Sequence, residues 1–153
     1  MTSHEPRDYA CPFCAVVARR ETEHNAQADV VFRDEETTAL ISPKWWDVAP
    51  GHVIVVPNAH VENVYAITDE QLASVYRTAK RIADALKEAT GCEGTSMRQH
   101  NEPGAGQDVW HFHVHVFPRW VDDGLYERDS EARWVSPTER ALAAERLRAT
   151  LRL

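Results

Sequence analysis

The sequence predicts an α+β protein with an antiparallel sheet of about five strands, one long helix and a C-terminal helix. Three features predict this class: short β-branched runs bounded by Gly or Pro, one long segment with helical periodicity, and a helix-start motif near the C-terminus. With 153 residues the chain can build one hydrophobic core but not two full-sized domains. We therefore expect a single domain over residues 1–153, with a core over about 11–120 and a C-terminal extension over 121–153.

The strands are predicted from apolar runs rich in Val, Ile and Leu. The first two runs are separated by a polar segment at 34–37, which favours a β-hairpin. Pro57 should end the third run, and Pro118 should end the last, because proline cannot donate to a ladder. The five predicted strands are Asp29–Arg33, Thr38–Ile41, His52–Val56, Thr95–His100 and Val109–Phe117.

Both helices are predicted from their start motifs. Thr68 is followed by acidic residues and a Gln at the capping-box position, and Gly91 is placed for a left-handed cap, so Asp69–Thr90 should be helical. Ser136, followed by Pro and then Glu, predicts a second helix from Pro137 to about Leu151. The apolar stripe of the first helix consists of Leu72, Val75, Tyr76, Ala79, Ile82, Ala83 and Leu86.

The charge of the chain excludes several classes of partner. The formal net charge is −7 and no run of Lys or Arg forms a basic stripe, so nucleic acid is not an expected partner. An anionic substrate would need local donors, which favours a small ligand in a pocket. The polar first ten residues lack the apolar core of a secretory signal, and no apolar stretch has the length of a membrane span. We expect a cytoplasmic protein without a membrane partner.

The segment 111–117 alternates imidazole with bulky apolar side chains. In a strand, this period of two places His111, His113 and His115 on one face and the apolar residues on the other. An incidental edge strand and a metal site are the two alternatives to catalysis. Phosphoryl or nucleotidyl transfer suits the array best, because a neutral imidazole can attack phosphorus while neighbouring donors stabilise the oxygens.

A second motif, Cys11-Pro-Phe-Cys14, lies near the N-terminus. A CxxC pair is either a redox pair or half of a zinc site, and its spacing alone does not distinguish the two. In the cytoplasm the thiols are expected to be free or metal-bound rather than disulfide-bonded.

Four motifs, in this order, resemble those of the histidine triad (HIT) family of nucleotide hydrolases and transferases. They are Gly51-His52-Val53-Ile54-Val55-Val56-Pro57, then His60, then Asn101-Glu102-x-Gly104-x-Gly106-Gln107, and then His111-x-His113-x-His115-x-x-Pro118-Arg119. The resemblance extends over roughly residues 11–120. It implies a HIT-like fold, a homodimer joined edge to edge through its sheets, and a small-molecule nucleotide as partner.

The resemblance also implies roles for individual residues. His113 would attack the α-phosphorus of a purine nucleotide to give a nucleotidyl-histidine, which water then hydrolyses. The bond cleaved would be a phosphoramidate, a phosphoanhydride or a phosphoester, as in nucleoside phosphoramidases and dinucleoside polyphosphate hydrolases. The remaining catalytic residues would be His115 and His52, and the substrate-binding residues would be Asn101, Gln107, His115 and Ser42. Asn101 and Gln107 also have an ordinary alternative as loop-capping residues.

The CxxC motif resembles that of bacterial family members with a structural zinc. The implied ligands are Cys11, Cys14, His60 and His111, with a reduced thiol pair as the alternative. The chain departs from many members at Asp108, where Ser or Thr is usual, and at Ser42, where a ribose-binding Asp is usual. These departures favour, as a second hypothesis, a nucleotide-binding or interaction module without catalysis. A catalytic metal centre formed by the triad is a third.

Overall fold

The computed structural model describes residues 2–128 and 131–152. Within these residues, three α-helices and seven strands are joined by loops and short 3-10 turns. The helices are α1 Pro12–Val17, α2 Asp69–Thr90 and α3 Pro137–Thr150, and the strands are β1 Val30–Arg33, β2 Thr37–Ile41, β3 Lys44–Trp45, β4 Val53–Pro57, β5 Gly94–Arg98, β6 Val114–Arg119 and β7 Arg133–Trp134.

Five strands form one antiparallel sheet in the order β1-β2-β4-β6-β5. This confirms the predicted α+β class and the predicted number of strands. β3 and β7 form a separate two-stranded ladder, which the sequence did not predict, and α1 was not predicted either. The β3–β7 ladder joins the loop before β4 to the C-terminal extension.

Both predicted helices are confirmed with their caps. The Thr68 hydroxyl accepts from the Gln71 N–H at the start of α2, and Gly91 ends the helix in the left-handed region with φ of 68°. The predicted stripe packs against β4 and β6, except that Tyr76 is 41% exposed. Within residues 2–128 and 131–152, no helix has the length and apolar character that crossing a membrane requires.

A buried ion pair anchors α3 to the start of β1. Arg140 Nε donates to both carboxylate oxygens of Asp29 at 3.0 and 3.1 Å, and both side chains are buried. A second guanidinium nitrogen of Arg140 donates to the Val135 carbonyl, and Asp29 also accepts from the Ala26 N–H. Removing one partner would leave an uncompensated buried charge, a loss of about 3–5 kcal/mol in the free energy of unfolding. The C-terminal extension is therefore part of the packed structure.

The main departure from the predicted strands is the start of β6. β6 begins at Val114, so the prediction of a strand from Val109 was wrong by five residues. The register that pairs Val55 with Val114 would place Pro57 opposite Phe112, where Pro57 has no N–H to donate. The Phe112 N–H donates instead to the Val61 carbonyl at 2.6 Å. The backbone at 111–113 therefore leaves the strand geometry.

The other end of β6 extends to Arg119, beyond the proline that was expected to stop it. The Arg119 carbonyl accepts from the Glu93 N–H on the β5 side, so the nitrogen of Pro118 faces the opposite side. At that position β6 has no partner residue in β4, because the pairing of the two strands starts with Val53 opposite Val116. A missing N–H at Pro118 therefore costs no ladder hydrogen bond.

Candidate active site and metal-binding cluster

A cavity of about 430 Å³ lies on the face of the sheet opposite α2. Residues alternate between the two faces, so Val53 and Val55 pack toward the helix while His52 and Ile54 face the cavity. The volume lies in the range of small-molecule sites. The lining includes, besides these two residues, Phe13, His24, Ser42, Lys44, Trp46, Arg98, His100, Asp108, His113, His115 and Trp134.

His113 presents one unpaired ring nitrogen to the cavity. Its Nδ1–H donates to the His111 carbonyl at 2.7 Å, which leaves Nε2 as the nitrogen with a free lone pair. Nε2 lies 3.8 Å from the nearer carboxylate oxygen of Asp108, which is 85% exposed. Burial holds the pKa of His113 below its usual value, while the hydrogen bond to the carbonyl and the Asp108 charge act in the opposite direction. The ring is therefore neutral at pH 7 and suited to nucleophilic attack.

His115 and His52 form a second imidazole pair beside His113. His115 Nδ1 and His52 Nε2 are 3.3 Å apart, and the rings of His113 and His115 lie 5.1 Å apart between centroids. Burial lowers the pKa of His52 to about 3 and also lowers that of His115, so both are neutral.

The tautomers of this pair follow from the surroundings of His52. Its Nδ1 is buried without a hydrogen-bond partner among the described residues, so the lower-cost tautomer places the proton on Nε2. His52 then donates to His115 Nδ1. His115 is left with Nε2–H as a donor for a ligand in the cavity.

The three predicted triad histidines lie on the side of the sheet opposite Phe112, Val114 and Val116, but they do not share one pocket. His113 and His115 line the cavity, whereas His111, which precedes β6, is buried among the side chains of Cys11, Cys14 and His60. The prediction that all three rings project into one cavity was therefore wrong for His111, because its ring is enclosed by the cluster, although Phe13 packs against both His111 and His113.

The predicted substrate-binding residues differ in their placement. Ser42 lines the cavity, but its hydroxyl donates to the Lys44 carbonyl and accepts from the Lys44 N–H. The Asn101 oxygen accepts from the Val64 N–H. The Gln107 oxygen accepts from the Glu102 N–H, and its nitrogen donates to the Glu62 and Val109 carbonyls. Asn101 and Gln107 thus cap loops outside the cavity lining, and their substrate contacts stay predictions.

The structure adds lining residues to which the sequence assigned no role. Phe13, from the unpredicted helix α1, packs edge-on against His113 at 5.2 Å between centroids. Trp134, from the C-terminal extension, stacks on His24 at 3.9 Å and is 57% exposed. Arg98 is the last residue of β5. These residues come from separate elements, so no local pattern in the sequence could have assigned them to one cavity.

The second feature of the site is the cluster of Cys11, Cys14, His60 and His111. His111 Nδ1 lies 3.4 Å from Cys11 Sγ, 3.6 Å from Cys14 Sγ and 3.3 Å from His60 Nδ1, and Cys14 Sγ lies 3.2 Å from His60 Nδ1. All four ligand atoms lie within 4.8 Å of one another. Bond lengths of about 2.3 Å to sulfur and about 2.0 Å to nitrogen place the corners of a tetrahedron roughly 3.3–3.8 Å apart. The spacing and the donor types thus fit a tetrahedral metal ion bound by two thiolates and two Nδ1 atoms.

The outer nitrogens of the two histidines in the cluster are also hydrogen-bonded. His111 Nε2–H donates to the Pro57 carbonyl at 2.9 Å, and His60 Nε2–H donates to the Glu5 carboxylate at 2.5 Å. Such outer partners fix the ring orientation and leave Nδ1 free to bind a metal. The predicted ligand set is therefore brought together, and the cluster can bind a metal ion.

The fold and the site define an α+β protein with a neutral imidazole cavity beside a Cys2His2 cluster. The HIT domain family model matches residues 23–121, more than half of the chain. The chain therefore belongs to the HIT family of nucleotide-binding hydrolases and transferases.

Two sequence relatives are similar over most of this region. "Protein hit" of Bacillus subtilis (strain 168) is 32% identical over 110 residues, which is 72% of this chain and 71% of the relative. The bis(5'-adenosyl)-triphosphatase of Dictyostelium discoideum is 33% identical over 93 residues, 61% of each chain.

Solved structures confirm the fold. A HIT-like protein from Bartonella henselae superposes with a TM-score of 0.77 at 24% identity, over 96% of this chain and all of the other. A Zn-bound histidine triad family protein from Mycobacterium smegmatis has a TM-score of 0.71 at 26% identity, over 92% of each chain.

We predict that Asp108→Asn lowers the pKa of His113 further, because it removes a negative charge that favours the imidazolium. NMR titration of the imidazole resonances measures the change. Asp84→Asn, at an exposed position on α2, is the matched control and should leave the His113 titration unchanged. An unchanged or raised His113 pKa in Asp108→Asn would contradict the prediction.

Proposed function

We propose that this protein hydrolyses the bond to the α-phosphorus of a purine nucleotide through a nucleotidyl-histidine intermediate on His113. The observation that carries the proposal is the buried neutral ring of His113, with Nε2 free and directed into the cavity. The similarity to a bis(5'-adenosyl)-triphosphatase supports a phosphoanhydride, and phosphoramidate and phosphoester bonds are the other members of the class.

The proposed reaction has two displacement steps. His113 Nε2 forms a bond to phosphorus as the bond to the leaving group breaks, and the leaving group takes up a proton from solvent, which the attacking water of the second step returns. Water then attacks the same phosphorus, the P–N bond breaks, and the nucleoside monophosphate leaves with His113 neutral again. The developing imidazolium is stabilised by the His111 carbonyl that accepts from Nδ1.

His115 would stabilise the phosphoryl oxygens with the donor that its tautomer leaves free. His52 acts through His115, because its own contact is with His115 Nδ1. His52 is therefore a positioning residue in the proposal, while His113 and His115 are the catalytic residues.

The test is turnover by the wild type and His113→Ala. Diadenosine triphosphate or adenosine 5'-phosphoramidate should yield AMP with the wild type, and the substitution should lower the rate by at least about 10³-fold. AMP binding, measured by calorimetry, should persist because the cavity remains. Turnover retained by His113→Ala would overturn the assignment of the nucleophile.

The second candidate function is nucleotide binding without catalysis. The observation that favours it is the Asp108 carboxylate, which lies 3.8 Å from the proposed nucleophile and repels an anionic phosphoryl group. The same experiment separates the two functions, because this alternative predicts AMP binding with no turnover of any substrate by the wild type.

The metal that we propose for the cluster is zinc, in a structural role. Two thiolates and two imidazoles in a closed tetrahedral set are typical of structural zinc, and the M. smegmatis protein with the same fold is Zn-bound. When bound, the ion would link α1 to the segment that carries His111 and His113. Catalysis by a metal on the triad is not favoured, because among the described residues His111 clusters with the cysteines instead.

We predict about one zinc per chain in the purified protein, as expected for a structural site. Cys14→Ser should lose the ion and lower the melting temperature, because the binding energy contributes to folding. Elemental analysis and calorimetry measure both effects. The same substitution at Cys92, which lies outside the cluster, should keep the zinc, and a metal content unaffected by Cys14→Ser would exclude the site.

We also propose that the protein is a cytoplasmic homodimer joined through β5. β5 is an edge strand of the five-stranded sheet, so one side of its backbone has no strand partner among the described residues. Thr95 and Met97 direct their peptide groups to that side, because Ser96 and Arg98 are paired with Phe117 and His115, whose peptide groups face β5. A second copy could extend the sheet there.

Sedimentation equilibrium should give twice the chain mass of 17.4 kDa. Met97→Pro, which removes an outward N–H, should shift the equilibrium toward monomer. A wild-type mass that stays at one chain across the concentration range would contradict the proposal.

A further inference from the structure

Arg98 occupies a place in the cavity that no assigned role uses. It is paired with His115 across the β5–β6 ladder, so both side chains lie on the cavity face. On its other flank, His115 is paired with Ile54 of β4. Arg98 is therefore the cationic neighbour of the proposed oxygen-binding histidine.

Aromatic rings hold the guanidinium of Arg98 in place. Its central carbon lies 5.0 Å from the ring centroid of Phe117, 5.4 Å from that of Trp46 and 6.0 Å from that of Tyr126. These are cation–π distances, and three rings around one side chain restrict its rotamers. The group is positioned before any ligand arrives.

The hydrogen-bonding capacity of this guanidinium is not satisfied within the described residues. Nε is buried without an acceptor, and no carboxylate among those residues forms an ion pair with Arg98. Two other arginines differ: Arg119 pairs with Asp123, and Arg140 pairs with Asp29. A fixed guanidinium beside a cavity without its own anion is suited to bind an anionic ligand.

The histidines beside Arg98 supply no positive charge that could bind an anion. Burial keeps His52 and His115 neutral, and the Arg98 charge is one of the causes that disfavour their protonation. The other cation of the lining, Lys44, lies over the Trp134 ring. Arg98 is thus the permanent positive charge next to the histidines.

The position of Arg98 relative to His113 indicates which part of a substrate it would meet. The ring of His115 separates the two: it lies 5.1 Å from that of His113 and is stacked on Phe117, which Arg98 contacts. On the other flank of His113 lies the apolar ring of Phe13. A group bonded to the attacked phosphorus, rather than that phosphorus itself, would come within reach of Arg98.

We propose that Arg98 is a specificity-determining residue that binds the anionic leaving group and makes the site select phosphoanhydrides over phosphoramidates with a neutral amine leaving group. This inference rests on the proposed function. A bidentate guanidinium would bind the departing phosphate oxygens as their charge grows, whereas an amine offers it no such acceptor.

The test compares two substrates with the same adenylyl group, diadenosine triphosphate and adenosine 5'-phosphoramidate. Arg98→Met should lower kcat/KM for the anhydride by about 10- to 100-fold, the usual value of a charged hydrogen bond, and for the amidate by less than about threefold. The kcat/KM of Arg98→Lys for the anhydride should lie between those of the wild type and Arg98→Met, because lysine keeps the charge but loses the paired N–H donors of the guanidinium. Equal losses on both substrates would overturn the proposal.

Arg81→Met is the matched control. Arg81 also lies over an aromatic ring, that of Phe32 at 5.9 Å, but it is on α2, away from the cavity. Its substitution should leave both rates unchanged, and circular dichroism should show native folding of all variants.

A binding experiment distinguishes a failure of this proposal from a failure of the proposed function. If the wild type turns over neither substrate, the proposed function fails, and calorimetry with ADP and AMP still tests Arg98. ADP should bind the wild type more tightly than AMP, and Arg98→Met should remove the difference. Equal affinities of the wild type for ADP and AMP would overturn the role of Arg98.

Discussion

The ladder between β4 and β6 ends just before Pro57, and the arrangement of the site depends on that end. Because Pro57 cannot donate, the backbone before Val114 leaves the sheet, and the His111 ring turns toward the cysteines while its Nε2–H donates to the Pro57 carbonyl. The carbonyl of the same His111 accepts from Nδ1 of His113 and fixes its tautomer. His111 thus connects the Cys2His2 cluster to the proposed nucleophile, and a small change in the cluster would move His113.

The electrostatics of the cavity are set by burial rather than by the total charge. The chain carries a formal charge of −7, yet its cavity holds neutral imidazoles and one aromatic-bounded guanidinium, that of Arg98. Neutral imidazoles keep their lone pairs for attack or hydrogen bonding, at the cost of leaving little positive charge for a phosphate. The Asp108 carboxylate lies at the mouth of the same cavity, mostly in solvent, where screening weakens its repulsion of an anion.

Local patterns predicted the elements that local interactions stabilise. The caps at Thr68 and Ser136 and the apolar stripe of α2 are contacts within a few residues, and the structure confirms them. The β3–β7 ladder was missed because its two strands are two residues long and about ninety positions apart. A similar limit explains why the sequence left two roles open for Asn101 and Gln107, since an amide side chain can bind a phosphate or cap a loop. Only the fold shows that their oxygens accept from the Val64 and Glu102 N–H groups.

The sequence by itself determined the α+β class, the family resemblance and the four residues of the cluster, because these depend on residue type, spacing and order along the chain. The tertiary structure alone decided that His111 is enclosed by the cluster while His113 and His115 line the cavity, and that Arg98 lies beside His115. Strand order, register and the end of a ladder are set by hydrogen bonds between distant segments. No pattern within one segment contains that information, so which side chains meet in the cavity is a property of the folded chain.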